Sequence, residues 1–166
     1  MTDALDPASS PLLAGPQCRM VYASRVNTDA FEGDIQSEIL RILETSQRYN
    51  RETMVGGLLL YADGYFCQIL EGPIEAVEAT YERIARDPRH QLCTVLLTEK
   101  IERRRYPGIP MALVGVDETP HPELQGLLDD PEGAGGAEAG RELANMLEAR
   151  INGHSLEVPM FLGKLN

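Results

Sequence analysis

The stretch TMVGGLLLYADGYFCQILEG, residues 53–72, decides the fold. Two apolar runs, TMVGGLLLY (53–61) and YFCQIL (65–70), flank an Asp-Gly turn. That pairing is a β-hairpin signal, because Asp and Gly accept the positive φ that a tight turn between twisted strands requires. The runs are nearly continuous in apolar residues rather than alternating. The hairpin is therefore expected in the middle of a sheet, covered on at least one face. Gly56 and Gly57 interrupt the first run and predict close packing of a helix against the sheet at that point.

Outward from the hairpin, GPIEAVEATYERIARDP (72–88) reads as a helix. Pro73 stands at its start and Pro88 at its end, and Ile74, Val77, Tyr81 and Ile84 form its buried stripe. On the other side, Asp34 to Tyr49 is helical, with Ile35, Ile39, Ile42 and Leu43 on one face. CRMVYAS (18–24) and CTVLLTE (93–99) read as further strands. IPMALVGV (109–116) reads as a last one, after the basic loop IERRRYPG (101–108). The order β-α-β-β-α-β-β predicts an α+β fold: a ferredoxin-like sheet with both helices on one face. Residues 1–16, rich in Pro, Ser, Ala and Gly, are expected to be a flexible leader, and 17–117 the domain core. Residues 118–166 form an acidic C-terminal extension. In it, DDPEGAGGAEAG (129–140) reads as a linker. RELANMLEARI (141–151) is an amphipathic helix with Leu143, Met146, Leu147 and Ile151 on one face, and LEVPMFLGKL (156–165) is apolar enough to dock.

The 166 residues carry a formal charge of −11, unevenly spread. Residues 18–116 hold 14 acids and 12 bases, whereas 117–166 hold 10 acids and 3 bases. No net basic face is available to neutralise phosphates or to dock on an anionic bilayer, so nucleic-acid and membrane partners are not expected. Cys18, Cys67 and Cys93 are odd in number and scattered, as for thiols in a reducing compartment. The N-terminus lacks the positive flank and apolar run of a signal peptide. Together these predict a cytoplasmic protein.

Enzyme constellations are weak. His90, His121 and His154 lack metal-ligand spacing, and no GxSxG, HExxH or Walker loop occurs. Arg103, Arg104 and Arg105 read as a solvated loop. The polar residues inside apolar strands are more informative. Tyr22 and Ser24 sit at alternate positions and share one side of their strand. Gln68 lies in a central strand, where an unbonded amide costs about 1–3 kcal/mol. It either bonds to nearby backbone or faces a polar ligand between sheet and helices. Asn50 closes the first helix, where Asn is common.

Taken together, these residues resemble the BLUF family, the blue-light sensors using FAD, from about Cys18 to Val116. VYAS (21–24) is similar to the family's first strand, and ETSQRYN (44–50) to its helix-one ending. TMVGGLLLYADGYFCQILEG carries the F-x-Q-x-L-E-G signature. YERIARDPRH (81–90) is similar to the second helix and its exit, and RRRYPGIPM (103–111) to the segment before the last strand.

The resemblance implies a bound FAD, with FMN or riboflavin as alternatives. By position, Tyr22 matches the photoactive tyrosine, Gln68 the glutamine between it and the flavin, and Met111 the methionine before the last strand. Asn50 matches the asparagine on the flavin ring, and Arg83 a basic residue near the FAD side chain. Ser24 and Ser46 match polar neighbours of the pocket, and Phe66, Ile39 and Ile69 give apolar packing around the ring. Family members often have Trp two residues before the methionine; here that position is Ile109, and the chain has no Trp. Tyr49 is read as a helix-end residue rather than a competing electron donor. The expected function is photosensory, not enzymatic, with output to a downstream signalling protein or through a homodimer or higher oligomer. The alternative is a ferredoxin-like interaction or small-ligand module without photoactivity.

Overall fold

The computed structural model describes residues 15–129 and 136–154. β1 (Gln17–Val26) leads to α1 (Ile35–Thr53), the hairpin β2 (Gly56–Ala62) and β3 (Tyr65–Pro73), and α2 (Ile74–Arg86). β4 (His90–Ile101), β5 (Ala112–Asp117), α3 (Pro122–Asp129) and α4 (Ala137–His154) follow. The strands form one sheet in the order β4-β1-β3-β2-β5. Neighbours are antiparallel except β2 and β5, which run parallel. The α+β, ferredoxin-like arrangement is as expected, with the hairpin at its centre.

Local chemistry sets the boundaries. Asp63 (φ 48°) and Gly64 (φ 81°) make the tight turn with both residues left-handed. Asp34 caps α1 by accepting the Ser37 N–H at 2.7 Å. The helix runs past Asn50 to Thr53 and ends on left-handed Met54. Asn50 is therefore inside the last turn, and β2 starts at Gly56 rather than at Thr53. Gly57 is required by a neighbouring strand, not by a helix. A Cβ there would lie 1.9 Å from the Ile69 carbonyl oxygen. Gly56 faces the Ile109 carbonyl in the same way, at 2.7 Å.

The sheet is covered on both faces. α1 and α2 bury Ile39, Ile42, Leu43, Val77 and Ile84 against Tyr22, Leu59, Phe66, Leu70 and Met111. On the other face Leu124 of α3 and Ala139, Leu143, Ala144 and Leu147 of α4 meet Val21, Leu58, Leu60, Cys67, Ile69 and Val114. α3 was not expected, and α4 begins inside the predicted linker. The expected leader (apart from residues 15 and 16) and the apolar segment 156–165 lie outside the described residues. Among the described residues no helix is long and apolar enough to cross a membrane.

Candidate functional site

Side chains alternate across a strand, so β1 and β3 each divide their residues between the two faces. Tyr22 and Gln68 are register partners and point toward α1 and α2. Tyr22, Gln68, Asn50 and Met111 are all buried. The Gln68 Nε2 group sits 4.0 Å from the Met111 sulfur. Asn50 donates through Nδ2 to the Pro110 carbonyl at 2.6 Å. Gln47, one turn earlier on α1, donates to the Met111 carbonyl at 3.2 Å. Two side-chain amides of one helix thus hold the segment that enters β5.

The remaining polar atoms of this group are unpaired. Tyr22 Oη, Gln68 Oε1, Asn50 Oδ1 and Arg83 Nε are buried with no hydrogen-bond partner among the described residues. Each such atom costs about 1–3 kcal/mol, and folded proteins tolerate few of them. Four converging from β1, β3, α1 and α2 on one layer describe a polar site, not a packing defect. A flavin ring fits that set of donors and acceptors, because its edge offers both carbonyl acceptors and an N–H donor. Amide oxygens, a phenol and a guanidinium N–H complement such an edge.

Electrostatics keep the Tyr22 phenol and the His90 ring neutral. Burial pushes the Tyr22 phenol well above its ordinary pKa; Cys93, Tyr81 and Cys67 add to the shift, and Arg83 opposes it. Burial lowers the His90 pKa to about 4. The neutral ring lies 4.7 Å from Phe66, and its Nδ1 is 2.7 Å from the Ser24 hydroxyl. Ser24 therefore shares the side of Tyr22, as expected, but its partner is His90. Ser46 is buried on α1, and Ile39 and Phe66 lie in the same core layer.

Ile69 is a correction. It follows Gln68 directly, so the pleat turns it to the opposite face, where it packs in the α4 layer. Ile109 also packs on that side, away from Met111. Tyr49 is 42% exposed and lies beneath the Arg83 guanidinium, 3.5 Å from ring centroid to carbon. Two participants were not anticipated. Gln47 was legible as the residue three before Asn50 on the same helix face. His90 was not, because its partner Ser24 is 66 residues away.

Comparison with known proteins identifies the family and the fold. Residues 18–112 match the family model for sensors of blue light using FAD. The dark-state structure of BlrB, a BLUF protein, superposes with a TM-score of 0.61 at 30% identity, covering 82% of this chain and 96% of that one. BlsA in its photo-activated state gives 0.60 at 26% identity, covering 79% and 94%. The blue light- and temperature-regulated antirepressor BluF of Escherichia coli is 32% identical over 94 residues, 57% of this chain and 22% of its own length. A photoactivated adenylate cyclase subunit beta of Euglena gracilis is 39% identical over 71 residues, 43% of this chain and 8% of its own length. The chain thus spans under a quarter of these two curated relatives. The match spans more than half of the sequence, and the chain belongs to the BLUF family of blue-light sensors.

Proposed function

We propose that this protein is a flavin-binding blue-light sensor in which Tyr22, Gln68 and Met111 form the switch. The reading is carried by the four unpaired buried polar atoms between the sheet and α1–α2. Tyr22, Gln68, Asn50 and Arg83 would hold the ring and its side chain, with Ile39, Phe66 and Ser46 packed around it. FAD follows from the family, with FMN and riboflavin as the alternatives. The bound flavin supplies a light-activated oxidant. Tyr22 would be the residue that lends this oxidant one electron and its phenolic proton and then recovers both. The proton is there to be given, because burial holds the phenol neutral.

Gln68 is the element that stays changed. Its primary amide has a donor end and an acceptor end, so rotation or tautomerisation reverses its hydrogen bonding. Its Nε2 group now faces the Met111 sulfur, a weak acceptor. Reversal withdraws that donor from Met111 and alters the grip on residues 110–111, which Gln47 and Asn50 hold from α1. With Ile109 in the other layer, Met111 and β5 carry the output. β5 ends at Asp117, which accepts from Arg150 of α4 at 2.9 Å. Residues 17–117 would be the sensing unit and 118–166 the part read by a signalling partner. The acidic extension favours a partner with a basic face.

An absorption spectrum of the purified chain tests this. A yellow protein whose flavin bands move slightly to the red in blue light and return in darkness is expected. Colourless protein would favour the interaction-module reading. Gln68→Leu and Tyr22→Phe should each keep the flavin and lose the red shift; a normal photocycle in either overturns the role given to that residue.

A further inference from the structure

Tyr22 has one aromatic neighbour in ring contact among the described residues. Tyr81 of α2 meets it edge-on, with centroids 5.2 Å apart and planes at 70°. The two side chains are chemically identical and differ only in surroundings. Tyr22 is fully buried, whereas Tyr81 is partly exposed at the helix surface. An electron hole moves readily between rings in contact, and a phenol radical cation is stabilised by losing its proton. That loss is easier for the phenol nearer water. Among the described residues the Tyr22 hydroxyl has no hydrogen-bond partner, so no bonded acceptor holds its proton. The exposed Tyr49 lies under a guanidinium, a cation that opposes oxidation of its ring.

We propose that Tyr81 is a second redox-active tyrosine, which re-reduces Tyr22 and carries the oxidising equivalent to the surface of α2. This rests on the flavin-sensor reading above. In blue light one electron and the phenolic proton leave Tyr22 for the flavin. The resulting Tyr22 phenoxyl radical takes one electron from Tyr81 and one proton, from the Tyr81 hydroxyl directly or through water. The Tyr22 O–H bond is restored and Tyr81 becomes the phenoxyl radical. In sum, one electron and one proton have passed from Tyr81 to the flavin, and Tyr22 is unchanged. This route competes with the direct return that leaves Gln68 switched. It therefore lowers the yield of signalling state per photon, and makes the loss of yield under strong light depend on small reductants that reach Tyr81.

The absence of Trp supplies a clean probe. The full chain loaded with FAD is illuminated, frozen and examined by electron paramagnetic resonance, with the red shift recorded in parallel. The parent chain should accumulate a tyrosyl radical. Tyr81→Phe should lower it severalfold while keeping the red shift and raising its yield. Tyr81→Trp should replace it with a tryptophanyl radical, which no other position can provide. Tyr22→Phe should remove the radical altogether. An undiminished radical in Tyr81→Phe, no radical in the parent, or no tryptophanyl signal in Tyr81→Trp overturns the inference while the red shift stands. Loss of the red shift in the parent as well overturns the sensor reading instead.

Discussion

The two faces of the sheet treat buried polar groups in opposite ways. On the α4 face Glu71 is fully buried and surrounded by partners. It accepts the backbone N–H groups of Arg105 and Tyr106 at 3.1 and 2.6 Å, with the guanidiniums of Arg19 and Arg104 at 3.7 and 3.8 Å. Arg19 and Arg104 each leave an Nε without a hydrogen bond, yet both have the Glu71 carboxylate beside them. From this loop Arg105 and Tyr106 reach Glu148 of α4. On the α1–α2 face, Tyr22, Gln68 and Asn50 offer polar atoms with no hydrogen-bond partner among the described residues. One face spends its polar groups on holding the loop and helix that would carry a signal. The other leaves them open, which is the pattern the proposed flavin site would require, since a binding site departs from the rules of a stable core.

Breaking the paired side should have the largest effect. Glu71→Ala leaves Arg19, only 4% exposed, without its buried partner and with only the partly exposed Glu99 carboxylate 3.7 Å away. A loss of about 3–5 kcal/mol is expected for such a break. Urea unfolding of parent and variant measures it, and a change below about 1 kcal/mol would show that the network adds little.

Next comes acid. Folding depresses the His90 pKa from 6.5 to about 4. Above the unfolded value both states are neutral and stability is at its full level. Between pH ~6.5 and ~4 the unfolded chain takes up a proton that the folded one refuses, so stability falls. The difference amounts to about 3 kcal/mol on the usual conversion. Asp87 and Glu38, whose carboxyls are held below their ordinary range by Arg89 and neighbouring hydrogen bonds, push the same way at lower pH. Comparison with His90→Gln isolates the histidine: the parent should lose stability more steeply across that window, and parallel curves would refute the assignment.

Most of the architecture was legible because it is local. The Asp63-Gly64 turn, the helix stripes and the prolines around α2 each carry their own signal. The grouping of Tyr22, Gln68 and Asn50 in one layer was legible through a family pattern, since no periodicity brings three distant polar residues together. Ile69 could have been placed correctly from the sequence, because neighbours in a strand cannot share a face. α3 was harder: PELQGLLD is short, contains Gly126, and has little room for helical periodicity to show. The His90–Ser24 contact and the Tyr81–Tyr22 ring pair depend on packing between separate elements and leave no spacing to find.

The smallest effect is the one that separates the two faces most sharply. Gln68 is 1% exposed, and among the described residues its Oε1 has no partner while its Nε2 has only a sulfur. Replacing an unsatisfied buried polar group by an apolar one of similar shape is nearly neutral or stabilising, because the cost of desolvating a group with no partner disappears. Gln68→Leu without flavin should therefore unfold within about 1 kcal/mol of the flavin-free parent, or above it. Glu71, three residues along the same strand, should show the opposite sign. Adding flavin should stabilise the parent by mass action, about 2.7 kcal/mol at a hundredfold excess over Kd. The Leu variant should gain less, by whatever its amide contributes to holding the ring. If Gln68→Leu instead destabilises the flavin-free chain as Glu71→Ala does, the amide is part of the scaffold, and the asymmetry between the faces would have to be explained without a ligand.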